Sequence, residues 1–171
     1  MAARLLSLIA LASSLIMCAS FPSAQSTKPC SAPEYRQFDF WIGEWEVQTG
    51  GQFAGTNSIS SEYGGCVIVE RWAGAKGLTG SSLNVYDSTT RQWHQTWVDS
   101  SGSLLLLRGE FKDGAMRLAS AASSAGMIDR ITWTPSADGS LRQLWEQSKD
   151  GGGNWTVAFD GLYRRKAARR E

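Results

Sequence analysis

The sequence predicts an all-β protein, a single antiparallel up-and-down β-barrel of about ten strands with a short N-terminal closing helix. Three observations carry this. Beyond Pro33 the chain has no long helical periodicity; it runs in short period-two segments rich in Val, Ile, Thr and aromatics. Turn residues separate these segments at short intervals: Gly50-Gly51, Gly64-Gly65, Asp87 to Arg91, Ser100 to Gly102, Asp113-Gly114, Asp138-Gly139 and Asp150 to Gly153. Finally, a meander of that many strands in one domain would expose long sheet edges, and closing the sheet on itself removes them.

The elements follow in order. Residues 1–26 have the pattern of a cleaved secretory signal. Arg4 provides a positive start, LLSLIALASSLIM (Leu5 to Met17) an apolar stretch too short to span a bilayer, and Ala24 or Ser26 a small residue for cleavage. Lipidation at Cys18 is a variant of this reading, but Met17 sits where such sites want a small residue. The expected location is secreted or periplasmic, with no stable membrane insertion after cleavage. Removing the signal leaves two cysteines, Cys30 and Cys66, and an even count in an exported chain favours a disulfide over two separate thiols. Residues 27–165 form the barrel domain, opening with a short helix over 33–40. Ten strands are expected near 43–49, 53–61, 66–73, 79–86, 92–98, 104–111, 115–121, 127–134, 140–147 and 154–164. Residues 166–171 close the chain as a basic tail.

Charge narrows the function. The net charge is +1, but five basic residues crowd the last eight positions, and the body between the signal and those eight positions has eleven basic against fifteen acidic residues. A mildly acidic body argues against a nucleic-acid partner. All eight Trp lie beyond the signal. An interior built from so many Trp with scattered polar groups suits a ligand cavity better than a dry aliphatic core.

The hairpin Ser82 to Asp99 is the best candidate for that cavity. With a loop from Asp87 to Gln92, Tyr86 faces Trp93, Asn84 faces Gln95 and Ser82 faces Trp97. One face is aromatic, amide and hydroxyl; the other has Leu83, Val85, His94, Thr96 and Val98. If the first face points inward, Asn84, Tyr86, Trp93, Gln95 and Trp97 line a pocket for a small apolar or aromatic molecule. If the Leu/Val face is the core, they are solvated. Glu70, Trp72, Arg130 and Trp145 are second candidates. Glu70 and Arg130 could pair inside the barrel or hold a charged ligand group, against the alternative that both are solvated outside.

Other chemistries find less support. No cofactor is expected. The single histidine, His94, excludes a His-rich metal site and leaves open only a haem with one axial His. Asp99-Ser-Ser101-Gly-Ser103 fails as a calcium loop because Leu104 stands where Gly is needed. Ser148 to Trp155 resembles a single Asp-box, Ser-x-Asp-x-Gly-x-Thr-Trp with Asn154 in place of Thr, and is read as a tight hairpin turn. An enzyme using Glu70, Asp99 or His94 for acid–base chemistry is one alternative; a filled barrel acting through its surface or tail is another.

Gly43-Glu44-Trp45, after FDFWI, resembles the Gly-x-Trp signature of lipocalins and related calycin barrels. The resemblance implies that Trp45 plugs the barrel floor and that a basic residue after the last strand, Arg164 or Arg165, packs across it, with Arg164 taken as the candidate. More broadly, FDFWIGEWEV, GGCVIVERW, SLNVYDSTTRQWHQTWVDSSG, RITWTP and RQLWEQSKDGGGNWTVAFDGLY resemble a bacterial family of exported proteins of uncharacterised function. That resemblance implies a calycin-like barrel and brings no catalytic residues.

Overall fold

In a computed structural model, residues 28–167 are described. The signal-peptide reading and most of the basic tail lie outside them. Ten strands form one closed antiparallel barrel, each paired with its sequence neighbours and β1 closing on β10. They are β1 (Gly43–Thr49), β2 (Gln52–Glu62), β3 (Val67–Gly74), β4 (Thr79–Asp87), β5 (Gln92–Asp99), β6 (Leu104–Lys112), β7 (Ala115–Ala119), β8 (Ile128–Pro135), β9 (Leu141–Ser148) and β10 (Thr156–Arg165). Only β7 is clearly shorter than expected. The segment after it, SAASSAGM, lacks β-branched and aromatic residues and forms a loop.

Side-chain alternation sorts the strands into an inner and an outer wall. Trp45, Asn57, Ile59, Ile68, Glu70, Trp93, Leu107, Leu118, Ile131, Trp133 and Tyr163 are buried inside. Outside, Leu83, Val98, Leu104 and Leu106 form an exposed apolar strip on β4–β6. Gly109 lets β6 approach β7: a Cβ there would overlap the Arg117 carbonyl, which is backbone and cannot rotate away.

The expected closing helix is instead two 3-10 turns, Pro33–Arg36 and Asp39–Trp41. So short a segment gains little from helical hydrogen bonding, and packing sets its path. Phe38 is fully buried and acts as the hub. Its ring stacks on Trp41 at 4.8 Å and meets Trp93 and Trp133 edge-on at 5.7 and 5.3 Å. The indole N–H groups of Trp41 and Trp133 have no hydrogen-bond acceptor among the described residues, so aromatic contact holds these two rings.

Trp45 donates its indole N–H to the Trp41 carbonyl at 2.8 Å. Arg165, not Arg164, lies across its ring, 4.4 Å from the centroid, and donates to the Ile42 carbonyl. The correction follows from register: Arg165 pairs with Trp45 and shares its face, whereas Arg164 pairs with Glu46 on the opposite face. Gly43 has φ +147°, a backbone conformation that side chains rarely adopt, which explains a glycine there.

Cys30 and Cys66 are joined by a disulfide with Cα atoms 5.1 Å apart, tying the segment before the lid to the start of β3. The bond closes a loop of 36 residues in sequence separation. Loop-closure entropy gives about 3–4 kcal/mol for such a loop. Urea denaturation of the Cys30→Ser/Cys66→Ser double variant should therefore show a loss of that order; an unchanged midpoint would mean the bridge adds nothing.

Candidate functional site

The hairpin register is the expected one: Tyr86 pairs with Trp93, Asn84 with Gln95 and Ser82 with Trp97. The aromatic and amide face points inward; Leu83, Val85 and Val98 are exposed outside. The five hairpin candidates then divide by level. Tyr86 and Trp93 belong to the lid, where Tyr86 packs on Tyr35 and Trp93 donates to Gln37 Oε1 at 3.2 Å. Asn84 and Gln95 lie at mid-barrel, and Trp97 stands near the opposite mouth.

At mid-barrel a polar layer crosses the interior. Glu70, on β3, is its centre and is only 4% exposed. Its Oε1 accepts the Asn57 amide at 2.7 Å and its Oε2 the Ser82 hydroxyl at 2.6 Å. The Ser82 oxygen accepts in turn from Asn84 at 2.9 Å, and Asn84 Oδ1 accepts from Gln95 at 2.8 Å. On the other side Asn57 donates to the Tyr163 hydroxyl, which donates to Gln143. Among the described residues no Lys, Arg or His nitrogen comes within ion-pair distance of the Glu70 carboxylate. Burial pushes the Glu70 carboxyl up to about 7, although Ser82 and Asn57 pull the other way. Burial, and then the Glu70 charge, hold the Tyr163 phenol well above its ordinary range.

Between this layer and the mouth lies a cavity of about 170 Å³. Glu70, Gln95, Gln143 and Tyr163 contribute its polar side; Trp72, Trp97, Trp145, Phe159, Leu105, Leu78 and Ile131 contribute the apolar walls. Two of the indoles are fixed by carboxylates. Trp97 donates to Asp99 at 3.1 Å, and Trp145 donates to Asp129 at 2.8 Å. Trp72 meets Phe159 edge-on at 6.2 Å. Gly80 leaves the space for the Trp97 ring, which a Cβ at that position would overlap. The volume resembles that of an apolar cavity of about 150 Å³ able to hold a benzene-sized molecule, and is smaller than a drug-sized pocket.

The structure thus brings Glu70, Trp72, Gln95, Trp97 and Trp145 together at one cavity. Arg130 is not part of it. Its strand turns Asp129 and Ile131 inward, so Arg130 points outward, pairs with Glu146 (2.8 Å) and covers the Trp155 ring at 3.8 Å. The supposed internal Glu70–Arg130 pair therefore does not form. His94 also lies on the outer wall, with its Nε2 3.5 Å from the Thr90 hydroxyl. Asp99 is tied up at the mouth, where hydrogen bonds from Ser101 and Trp97 lower its carboxyl to about 2. Of the three acid–base candidates, His94 and Asp99 thus lie away from the cavity, and Glu70 alone lines it, with its carboxyl raised and next to Asn57 and Ser82. Ser148 to Trp155 is a closed turn: Asp150 accepts from Ser148, from the Asn154 amide side chain and from the Asn154 backbone.

Sequence reasoning missed Asn57, Gln143, Phe159 and Tyr163. Each sits at an inward position on β2, β9 or β10, and period-two counting from Trp45 or Ile59 would have placed Asn57 and its cross-strand neighbours on the inner wall. No protein-family model and no curated protein matches this chain.

Proposed function

We propose that this barrel binds a small apolar or aromatic molecule in the cavity between the mid-barrel polar layer and the open mouth. The observation that carries the reading is the contrast between the two ends. At the lid end Phe38, Trp41, Trp93 and Trp133 are buried against one another, whereas Trp72, Trp97, Trp145 and Phe159 at the other end surround empty space. A filled barrel acting through its surface accounts less well for that space. The disulfide and the leader pattern support a secreted or periplasmic protein, in keeping with the resemblance to exported proteins. Fold alone does not assign a role, so the reading rests on the site.

Trp emission reports on it directly. Titration with toluene, indole and similar one-ring molecules should shift or quench emission saturably. Replacing Trp97 with Leu should diminish the response, because its ring is part of the cavity wall. A flat titration across the panel would defeat the proposal.

A further inference from the structure

We infer that the cavity selects a protonated amine with a small aromatic or apolar body, the ammonium group meeting the Glu70 carboxylate and the surrounding rings. This rests on the cavity-binding reading above and names the charge of the ligand.

Glu70 is costly for a protein whose cavity served only neutral apolar molecules. A buried carboxylate without a cation is unfavourable unless something else compensates, and a Gln or Leu would fill the position more cheaply. Among the described residues no basic group compensates. Arg108, Arg117, Arg130 and Arg142 lie on the outer wall, and Arg165 is at the closed end over Trp45. The carboxylate also has unused capacity. An ionised carboxylate offers about four lone-pair directions. Asn57 and Ser82 occupy one on each oxygen, and Glu70 lines the cavity.

The walls favour the same ligand. Aromatic faces attract cations through their quadrupole, Trp most strongly. Three Trp and one Phe border the space into which Glu70 faces. Two of those indoles donate their N–H to carboxylates, Asp99 and Asp129, which increases electron density on the rings and commits the only polar atom of each side chain. What remains for a ligand is ring surface, one acid and a few amide and phenol groups. The mouth loops have both signs of charge, with Lys76 and Lys149 as well as Asp99 and Asp150. Discrimination is therefore assigned to the interior rather than to steering from outside.

A matched pair of probes tests this: benzylamine, cationic at pH 8, against benzyl alcohol, a neutral molecule of nearly the same shape. Calorimetric titration of the wild-type protein at pH 8 should give benzylammonium about tenfold tighter binding or more, as expected for a desolvated charge contact with aromatic walls. Glu70→Gln should abolish that preference, bringing the affinities of the two probes together. Equal or tighter binding of benzyl alcohol to wild type would overturn the charge selection and leave cavity binding intact, as would a preference that survives in Glu70→Gln. Failure of both probes to bind would overturn both readings. The wild-type comparison needs no variant, so it decides the matter even if Glu70→Gln does not fold.

Discussion

Phe38→Ala should cost about 3–5 kcal/mol of stability, the range for removing a fully buried aromatic side chain. Phe38 contacts Phe40, Trp41, Trp93 and Trp133, and is fully buried, so neighbours fixed in the barrel wall cannot collapse into the hole. The loss should appear in urea melts at unchanged slope. It should appear too as faster exchange of the amide hydrogens of Trp41 and Ile42, which bond back to Phe38 and Asp39. A cost below about 1 kcal/mol would mean that the lid folds on independently and that the aromatic cluster is not what closes the barrel.

Glu70 gives the second large effect, and its sign is opposite to the usual carboxylate case. Burial raises the folded-state value to about 7 from an ordinary 4.5. The folded protein therefore holds a proton that the unfolded chain releases, and stability falls as pH rises from about 4.5 to 7, then levels off. A difference of that size corresponds to about 3 kcal/mol. Glu70→Gln, which cannot ionise, should be more stable than wild type at pH 8 by an amount approaching that figure, with the gap shrinking toward pH 4.5. Urea midpoints for both proteins at pH 4.5, 6, 7 and 8 would show it. Parallel pH profiles would indicate that Glu70 ionises freely in the folded state.

These two residues also show how far the sequence could be read. Strand number and order were legible because period-two runs and Gly/Asp turns agree with each other along the whole chain. The register of β4 against β5 was legible because the loop between Asp87 and Gln92 fixes it. The Gly43-x-Trp45 plug was legible as a local motif. Which arginine covers Trp45 was not, since Arg164 and Arg165 differ by one position and one position reverses the face. Arg130 was misplaced for a similar reason: an inward acid, Asp129, precedes it, and the inward sequence Asp129, Ile131, Trp133 mixes polar with apolar. The polar layer around Glu70 draws on five further strands, at Asn57, Ser82, Gln95, Gln143 and Tyr163, whose convergence depends on barrel closure and stagger rather than on any local pattern. The cavity itself is a property of volume, and the spacing of residues does not encode how much of an interior stays unfilled.

The central claim, that the mouth end is a container and the lid end a plug, is tested most directly by the indole N–H signals in a 15N-resolved NMR spectrum. Titration with toluene, and separately with benzylamine, should move the signals of Trp72, Trp97 and Trp145 while leaving those of Trp41, Trp45, Trp93 and Trp133 in place. Shifts confined to the lid tryptophans, or no shift in any of them, would contradict it.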